Sequence, residues 1–219
     1  MTTVNIPDAN PLSEISWIVF DVGRVIINIY PEQTISDFAS LTGRSEEEIF
    51  LYLSKSQYGD HSSIFDAFSC GAKSEEQYIA EIKKKKKKPV SASDLIKADQ
   101  KTLGEDIESS VDILKSLYGK FNLACFSNTH AIHWNKLRSE RDWFKYLSFV
   151  LASHEERLAK PDPRVFEYMN DLLKCTPKSC LFIDDMQENI QSAESCGWNA
   201  IHCTNPTDLP RQIREWIKE

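Results

Sequence analysis

Polar residues with catalytic potential follow several of the most apolar stretches of this 219-residue chain. Each stands at or shortly beyond the end of an apolar run, and the set comprises Asp21 after WIVF, Ser127 with Asn128 after LACF, Lys160 after SFVLAS, and Asp184 with Asp185 after CLFI. Carboxylates that converge repel one another strongly unless a cation lies among them. Hard oxygen ligands without a neighbouring set of His or Cys residues suit Mg²⁺.

The other members of this set could bind a phosphoryl group. Lys160 supplies a positive charge, and Ser127 supplies a hydroxyl with a backbone N–H next to it. Mg²⁺, a lysine and N–H donors together stabilise the charge of a phosphoryl group during its transfer. In such a site Asp21 would be the nucleophile, and water would hydrolyse the aspartyl-phosphate that it forms. The residue types therefore predict a magnesium site for a small phosphorylated metabolite.

Short apolar runs, with amphipathic helices between the later ones, predict the elements that carry these residues. The runs are SWIVFDV, FNLACFSN, YLSFVLAS, SCLFIDD and NAIHC, and none alternates cleanly between apolar and polar residues. Such runs are typical of parallel strands that are covered on both faces. They predict an α/β fold with a Rossmann-like parallel sheet, in which ligands bind beyond the carboxyl ends of the strands.

The first predicted strand is separated from the second by far more than the dozen or so residues that a crossover needs. Two capping boxes, Ser45 with Glu48 and Ser74 with Gln77, indicate helices in this interval. An insertion that leaves the first strand at its carboxyl end would stand over the site. We therefore expect a tail at residues 1–14, a core at residues 15–30 and 108–219, and a helical cap subdomain at residues 31–107.

The composition argues against several classes of binding partner. The net charge of −7 lacks the basic footprint of nucleic-acid-binding proteins. The N-terminal residues show no signal-peptide pattern, and Asp21 and Arg24 interrupt the apolar run around them, which makes it a poor membrane span. The 6 cysteines form no C-x-x-C pair, and several lie in apolar contexts typical of buried reduced thiols. We expect a cytoplasmic protein that binds neither nucleic acid nor membranes.

Four segments of the chain, FDVG, FSNT, KPDPRVF and FIDDMQEN, resemble the motifs of the haloacid dehalogenase (HAD) superfamily in their order and spacing. The resemblance covers nearly the whole chain beyond about residue 14, and it points to the phosphatase branch with a helical cap. The D-x-G form of the first motif, followed by a V-I pair, is similar to that of small sugar-phosphate phosphatases such as glucose-1-phosphate phosphatases. The resemblance implies a Mg²⁺-dependent phosphatase.

The resemblance also implies a role for each matching residue. Asp21 corresponds to the nucleophile and a metal ligand, and Gly23 to the residue whose backbone carbonyl contacts the metal. The substrate-binding set is Ser127, Asn128, Lys160 and Arg24, and Lys160 also steadies the nucleophile. Asp185 aligns with the principal acidic metal ligand, Asp184 is its neighbour in the double-acid form, and Asn189 supports these ligands from behind.

Gly23 departs from the pattern of most HAD phosphatases, which carry a second aspartate at this position as general acid and base. General acid–base catalysis is typically worth about 10²–10⁴-fold in rate. The sequence leaves three explanations open: a substrate whose leaving group needs little protonation, a different proton donor, or a chain that binds phosphate without turnover. Arg24 is a poor acid because it stays charged, whereas His130 could titrate near neutrality. We expect an active enzyme that compensates through its substrate.

Two other functions remain as rivals. A catalytically silent phosphate-binding or interaction protein would explain Gly23. Dehalogenase activity is less favoured, because the Asp184–Asp185 pair would place negative charge beside a carboxylate substrate. His130 and His133 have the spacing of a helical metal-binding pair, but the sequence offers no obvious third ligand, so we expect a structural role for them.

Overall fold

The computed structural model describes residues 14–54 and 63–217. The strands in these ranges are β1 (Trp17–Phe20), β2 (Ile27–Ile29), β3 (Leu103–Asp106), β4 (Asn122–Ser127), β5 (Phe149–Ala152), β6 (Cys180–Asp184) and β7 (Asn199–His202). Five of them form one parallel sheet in the order β5-β4-β1-β6-β7. Each predicted apolar run contains one of these five strands, which confirms the predicted α/β fold. The predicted N-terminal tail lies outside the described residues except for Glu14.

Helices fill the described part of the long interval after the first strand. They are α1 (Pro31–Thr42), α2 (Glu46–Ser54), α3 (Ile64–Ser69), α4 (Glu75–Lys84) and α5 (Ala92–Asp99). Both predicted capping boxes are present, because Ser45 with Glu48 and Ser74 with Gln77 exchange side chain–backbone hydrogen bonds. These helices share a hydrophobic cluster that contains Phe38 and is separate from the clusters on the sheet.

A two-stranded antiparallel ribbon, β2–β3, stands at the base of this insertion, and the sequence analysis did not predict it. Ile27 pairs with Asp106 and Ile29 with Leu103. The Asn28 side-chain amide donates a hydrogen bond to Glu105 Oε1 at 2.8 Å. The ribbon places the two ends of the insertion next to each other. The chain can therefore return to the five-stranded sheet after the inserted helices without disrupting it.

Further helices cover both faces of the parallel sheet. They are α6 (Glu108–Leu117), α7 (Ala131–Glu140), α8 (Ser153–Glu156), α9 (Pro163–Leu173), α10 (Gln187–Ser195) and α11 (Leu209–Ile217). Phe20 of β1 lies in a cluster with residues of α6, α7 and α11, whereas its neighbour Val19 lies in a second cluster with residues of α9 and α10. Burial on both faces explains why the strand sequences do not alternate. No helix in the described ranges is long and apolar enough to cross a membrane.

The register of the sheet brings the predicted site residues to one edge. Phe20 at the end of β1 aligns with Cys125 of β4 and with Ile183 of β6. The Asp21 N–H donates a hydrogen bond to Ile183 O at 2.7 Å. Ser127 and Asp184 are the last residues of their strands. The carboxyl ends of β1, β4 and β6 therefore present Asp21, Ser127 and Asp184 side by side.

Close contacts join the inserted helices to the sheet core. The Ser153 hydroxyl donates a hydrogen bond to Ser69 O at 2.6 Å and accepts one from Thr129 N at 2.9 Å. Gly71, just after α3, has a φ of +67°, and a Cβ added there would lie 2.3 Å from the carbonyl oxygen of His154. A side chain at Gly71 would therefore force the two backbones apart.

We expect Gly71→Ala to lower the free energy of unfolding more than Gly119→Ala does. Gly119 also has a positive φ, +80°, but nothing lies within 4 Å of a Cβ added there. Both substitutions incur the left-handed penalty of about 1–2 kcal/mol, and Gly71→Ala adds the clash with the carbonyl of His154. Urea denaturation of both variants measures the difference, and equal losses would contradict the close approach of cap and core.

Candidate active site

The side chain of Lys160 forms the centre of a buried ion-pair network. Its Nζ lies 2.7 Å from Asp21 Oδ1, 2.6 Å from Asp184 Oδ2 and 2.9 Å from the carbonyl oxygen of Phe126. Asp184 is completely buried, and Asp21 and Lys160 are 8% and 5% exposed. An unpaired charge at this depth would be strongly unfavourable, so each of these groups depends on the others.

The electrostatics of this network favour a bound cation. Burial raises the pKa of Asp21 to about 7, because it outweighs the charge of Lys160, and the carboxylate of Asp184 adds to the rise. Burial and Asp184 also raise the pKa of Asp185. Burial opposes the charge of Lys160, but Asp21 and Asp184 outweigh that effect and raise its pKa. One lysine therefore lies among three carboxylates. A bound cation would offset the excess negative charge.

Asp184 is held from several directions at the end of β6. Its Oδ1 accepts hydrogen bonds from Met186 N at 2.8 Å and from the side-chain amide of Asn189 at 2.9 Å. Its Oδ2 accepts the bond from Lys160. Asn189, in the first turn of α10, thus contacts Asp184 from the side of the helix.

The three aspartates fit the predicted Mg²⁺. Oxygen atoms of Asp21, Asp184 and Asp185 all lie within 4.8 Å of one another. Asp185 retains 18% of its side-chain exposure, and its Oδ2 lies 3.6 Å from a guanidinium nitrogen of Arg24. A group of carboxylate oxygens without nitrogen or sulfur ligands matches the preference of Mg²⁺.

A cavity of about 340 Å³ opens at this edge of the sheet. The predicted site residues that line it are Asp21, Gly23, Arg24, Ser127, Asn128, Lys160, Asp185 and Asn189. Asp184 lies behind this surface, in contact with Lys160. The insertion contributes Phe65 of α3 to the wall. The structure therefore gathers the predicted residues around one cavity that also touches the inserted helices.

The side chain of Asn128 orients the segment that carries Lys160. Its amide nitrogen donates to Lys160 O at 2.7 Å, and its oxygen accepts from Lys160 N at 3.0 Å. Ser127 is 6% exposed where β4 ends at the cavity. Arg24, in contrast, has 56% of its side chain exposed and a φ of +55° at the turn after β1. The guanidinium, which lies 3.6 Å from Asp185 Oδ2, is thus also accessible to a ligand in the cavity.

The position of the missing acid, Gly23, has room for a side chain. Its φ lies outside the left-handed region, and the nearest atoms to an added Cβ would be Ile29 Cγ1 at 3.2 Å and Ile29 Cδ1 at 3.6 Å. Both belong to a flexible side chain, so a small movement of Ile29 would accommodate the substitution. Neither the backbone conformation nor the packing therefore requires glycine at this position.

His130, the alternative acid considered from the sequence, does not reach the cavity. It is completely buried, and its ring stacks on Phe68 with the centroids 4.4 Å apart. Burial lowers the pKa of His130 well below its usual range. Both of its ring nitrogens lack a hydrogen-bond partner in the described part of the chain. His130 is thus a neutral packing residue between the inserted helices and α7.

His133 is a cavity residue for which the sequence predicted only a structural role. It lines the cavity, and its Nε2 lies 3.0 Å from the backbone oxygen of Asp99 and 3.4 Å from Asp99 Oδ2. The sequence offered no obvious third ligand for His130 and His133, and in the structure Asp99 at the end of α5 lies beside both. Asp99 is far from both histidines in the sequence. The three residues come together only because α5 of the insertion packs against α7.

A parallel α/β core with inserted helices and a lysine-centred acidic cavity at the strand ends defines a class of hydrolases. The family model for haloacid dehalogenase-like hydrolases matches residues 18–197. The chain belongs to this family.

Two solved structures agree with this assignment over most of the chain. A HAD family enzyme from Bacteroides thetaiotaomicron, in complex with magnesium and inorganic phosphate, superposes with a TM-score of 0.75 at 25% identity, over 85% of this chain and 93% of that one. A predicted HAD-like family hydrolase from Porphyromonas gingivalis gives a TM-score of 0.79 at 26% identity, over 94% and 100% of the two chains. An L-2-haloacid dehalogenase from Xanthobacter autotrophicus, at 15% identity and a TM-score of 0.62, covers 91% and 98% and shares the fold.

The curated relatives match over short segments. Mouse bifunctional epoxide hydrolase 2 is 25% identical over 71 residues, which are 32% of this chain and 13% of that protein. Mouse acyl-CoA dehydrogenase family member 10 is 30% identical over 69 residues, which are 32% of this chain and 6% of that protein. The chain therefore matches only a small part of each of these longer proteins.

Proposed function

We propose that this chain is a Mg²⁺-dependent phosphatase that hydrolyses a small phosphorylated metabolite, such as a sugar phosphate. The observation that carries the proposal is the position of Lys160, which pairs with both Asp21 and Asp184 beside Asp185 at one cavity. The complex of a structural neighbour with magnesium and inorganic phosphate supports it. The free cysteines are consistent with the cytoplasmic location that we also propose.

The first step transfers the phosphoryl group to Asp21. One carboxylate oxygen of Asp21 is held by Lys160, which leaves Oδ2 free of the lysine. Attack by Asp21 forms an Asp–O–P bond while the bond between phosphorus and the departing oxygen breaks. Lys160 and the hydroxyl of Ser127 stabilise the negative charge on the phosphoryl oxygens. A Mg²⁺ ion held by Asp21, the backbone of Gly23, Asp184 and Asp185 would neutralise further charge when bound.

The second step returns Asp21 to its starting state. Water attacks phosphorus, the Asp–O–P bond breaks, and inorganic phosphate leaves. Both steps require a proton to move, one to the departing oxygen and one from the water. Gly23 can do neither, so the proton carrier must be another group or the substrate must need none.

The inserted helices would select the substrate. We propose that residues 31–107 act as a cap over the cavity, while residues 15–30 and 108–219 form the catalytic core. Phe65 of α3 already contributes to the wall of the cavity. Arg24 is positioned to bind an anionic or hydroxyl-rich part of the substrate, because its exposed guanidinium lines the same space.

A catalytically silent phosphate-binding protein is the second candidate, and the absence of an acid at Gly23 favours it. A panel of an aryl phosphate and several sugar phosphates, assayed with and without Mg²⁺, separates the two. We expect phosphate release that depends on Mg²⁺ and that is fastest for one group of sugar phosphates. Tight binding of inorganic phosphate without release from any compound would favour the silent protein.

A further inference from the structure

We propose that His133, oriented by Asp99, is the proton donor that replaces the missing acid at Gly23. This inference rests on the proposed phosphatase function and extends it by naming the group that protonates the leaving oxygen. It differs from the sequence-based expectation of compensation through the substrate.

Most polar groups of the described cavity wall are unsuited to donate a proton. Arg24 stays charged at neutral pH. Lys160 is engaged by two carboxylates and a backbone carbonyl, and its pKa is raised. Asp185 belongs to the predicted metal ligands. Glu188 lies in the exposed first turn of α10, open to solvent. His133 remains, and imidazole is the side chain that ordinarily titrates near neutrality.

The position of His133 on α7 suits a donor to the leaving oxygen. The helix begins directly after the Ser127–Thr129 segment, where the phosphoryl group is expected to bind. His133 is 6% exposed and lines the cavity together with Leu137, one turn further along the same helix. The exposed part of the ring therefore opens on the space where the substrate would lie.

The hydrogen bonds of His133 leave one ring nitrogen available. Nε2 lies 3.0 Å from the Asp99 backbone oxygen, so it carries the proton and donates to Asp99. Nδ1 has no hydrogen bond to the described protein and is not fully buried. It is therefore accessible from the cavity. This arrangement directs Nδ1 to the substrate and Nε2 to Asp99, the reverse of the Ser-His-Asp triad, in which Nδ1 faces the acid.

The carboxyl group of Asp99 lies close to the ring of His133 and is itself held in place. Its Oδ2 lies 3.4 Å from His133 Nε2, and its Oδ1 accepts a hydrogen bond from the Tyr78 hydroxyl at 3.1 Å. Burial raises the pKa of Asp99, although His133 and the Tyr78 hydroxyl oppose that rise. The adjacent His130, whose ring centroid lies 3.9 Å from that of His133, stays neutral because burial lowers its pKa. The carboxyl group of Asp99 thus lies within ion-pair distance of the His133 ring.

The proton balance closes over the two steps. When the bond from phosphorus to the departing oxygen breaks, His133 Nδ1–H gives its proton to that oxygen and the ring becomes neutral. When water attacks the aspartyl-phosphate, the neutral ring takes a proton from the water as the Asp21–phosphorus bond breaks. His133 therefore returns to its charged form, and Asp99 stays paired with Nε2 throughout.

The dependence of rate on the leaving group tests this role. We compare wild type with His133→Asn on a series from acidic aryl phosphates to alkyl phosphates, all with Mg²⁺. His133→Asn is expected to lower kcat/KM for alkyl phosphates by about 10²–10⁴-fold. It is expected to leave kcat/KM for the most acidic aryl phosphate nearly unchanged, because that leaving group needs no proton, while kcat falls because the ring no longer takes a proton from water in the second step. Retained aryl activity also shows that the variant is folded.

Two matched variants separate proton donation from packing. His130→Asn alters the same buried ring stack without touching the cavity, so it should leave the alkyl-to-aryl ratio unchanged. Glu188→Gln removes a cavity carboxylate that is not a predicted metal ligand, and it should also leave the alkyl-to-aryl ratio unchanged. An unchanged ratio in His133→Asn, or a collapse in Glu188→Gln, would overturn the role of His133 alone. A wild-type protein that splits none of these phosphates would overturn the phosphatase function, and the role of His133 with it.

Restoring the family's acid provides an independent check. Gly23→Asp places a carboxyl beside Asp21, with the side chain of Ile29 as its nearest obstacle. In the His133→Asn background it is expected to recover most of the lost alkyl phosphatase activity, a larger fold-gain than the same substitution gives in the wild-type background. An equally large fold-gain in the wild type would contradict the presence of a proton donor at His133.

Discussion

Asp21→Asn is expected to abolish phosphate release, with a loss in kcat on the order of 10⁴-fold or more, as removal of a nucleophile does in other hydrolases. The amide keeps the size of the side chain and one hydrogen bond from Lys160, but it cannot attack phosphorus as a carboxylate does. Release of phosphate from an aryl phosphate with saturating Mg²⁺ measures the effect.

Asp112→Asn is the matched control for this substitution. Asp112 lies on α6 with 72% of its side chain exposed, and among residues 14–54 and 63–217 it forms an ion pair only with Lys115 on the same helix. It should retain wild-type activity, because an exposed pair of this kind contributes little to stability. Measurable turnover by Asp21→Asn at more than a few per cent of the wild-type rate would show that another residue is the nucleophile.

Removal of Mg²⁺ is expected to lower the rate at least about 10³-fold, because a metal ion contributes several kcal/mol to the stabilisation of transition-state charge. The physical reason is the excess of negative charge where Asp21, Asp184 and Asp185 converge. Phosphate release is measured after treatment with a chelator and again after Mg²⁺ is restored, which should recover the full rate.

A second readout of the metal does not depend on turnover. Ligands that bind the folded state raise the melting temperature, so Mg²⁺ should raise Tm in wild type and have a smaller effect in Asp185→Asn. Asp185 is suited to this test because it is partly exposed, whereas Asp184 is already bonded to Lys160 and Asn189. A full rate in the presence of chelator, with no change in Tm on adding Mg²⁺, would contradict the metal site.

The parallel sheet and the position of the site were predictable from the sequence for a local reason. Strands buried on both faces produce unbroken apolar runs, and a carboxylate or hydroxyl residue at the end of such a run marks the carboxyl end of a strand. Asp21, Ser127 and Asp184 each have this signature. The register of β1 with β4 and β6 then places these residues next to one another at one edge of the sheet.

The features that were missed depend on contacts between residues far apart in the chain. The β2–β3 ribbon joins two very short strands whose sequences, INI and LGED, carry no periodicity of their own. The pairing of His133 with Asp99 exists only because the end of α5 docks against α7. His130 was considered as an acid because its spacing from Ser127 is visible, whereas its burial against Phe68 of the insertion is not.

The central claim is that Asp21 carries the phosphoryl group, and trapping that intermediate tests it most directly. Wild type is mixed with an aryl phosphate and Mg²⁺, quenched in acid during the first turnover, and its peptides are examined by mass spectrometry. We predict a phosphoryl group on Asp21 that appears before free phosphate and that is absent from Asp21→Asn. A phosphoryl group on a different residue, or full phosphate release with the Asp21 peptide unmodified throughout, would contradict the mechanism.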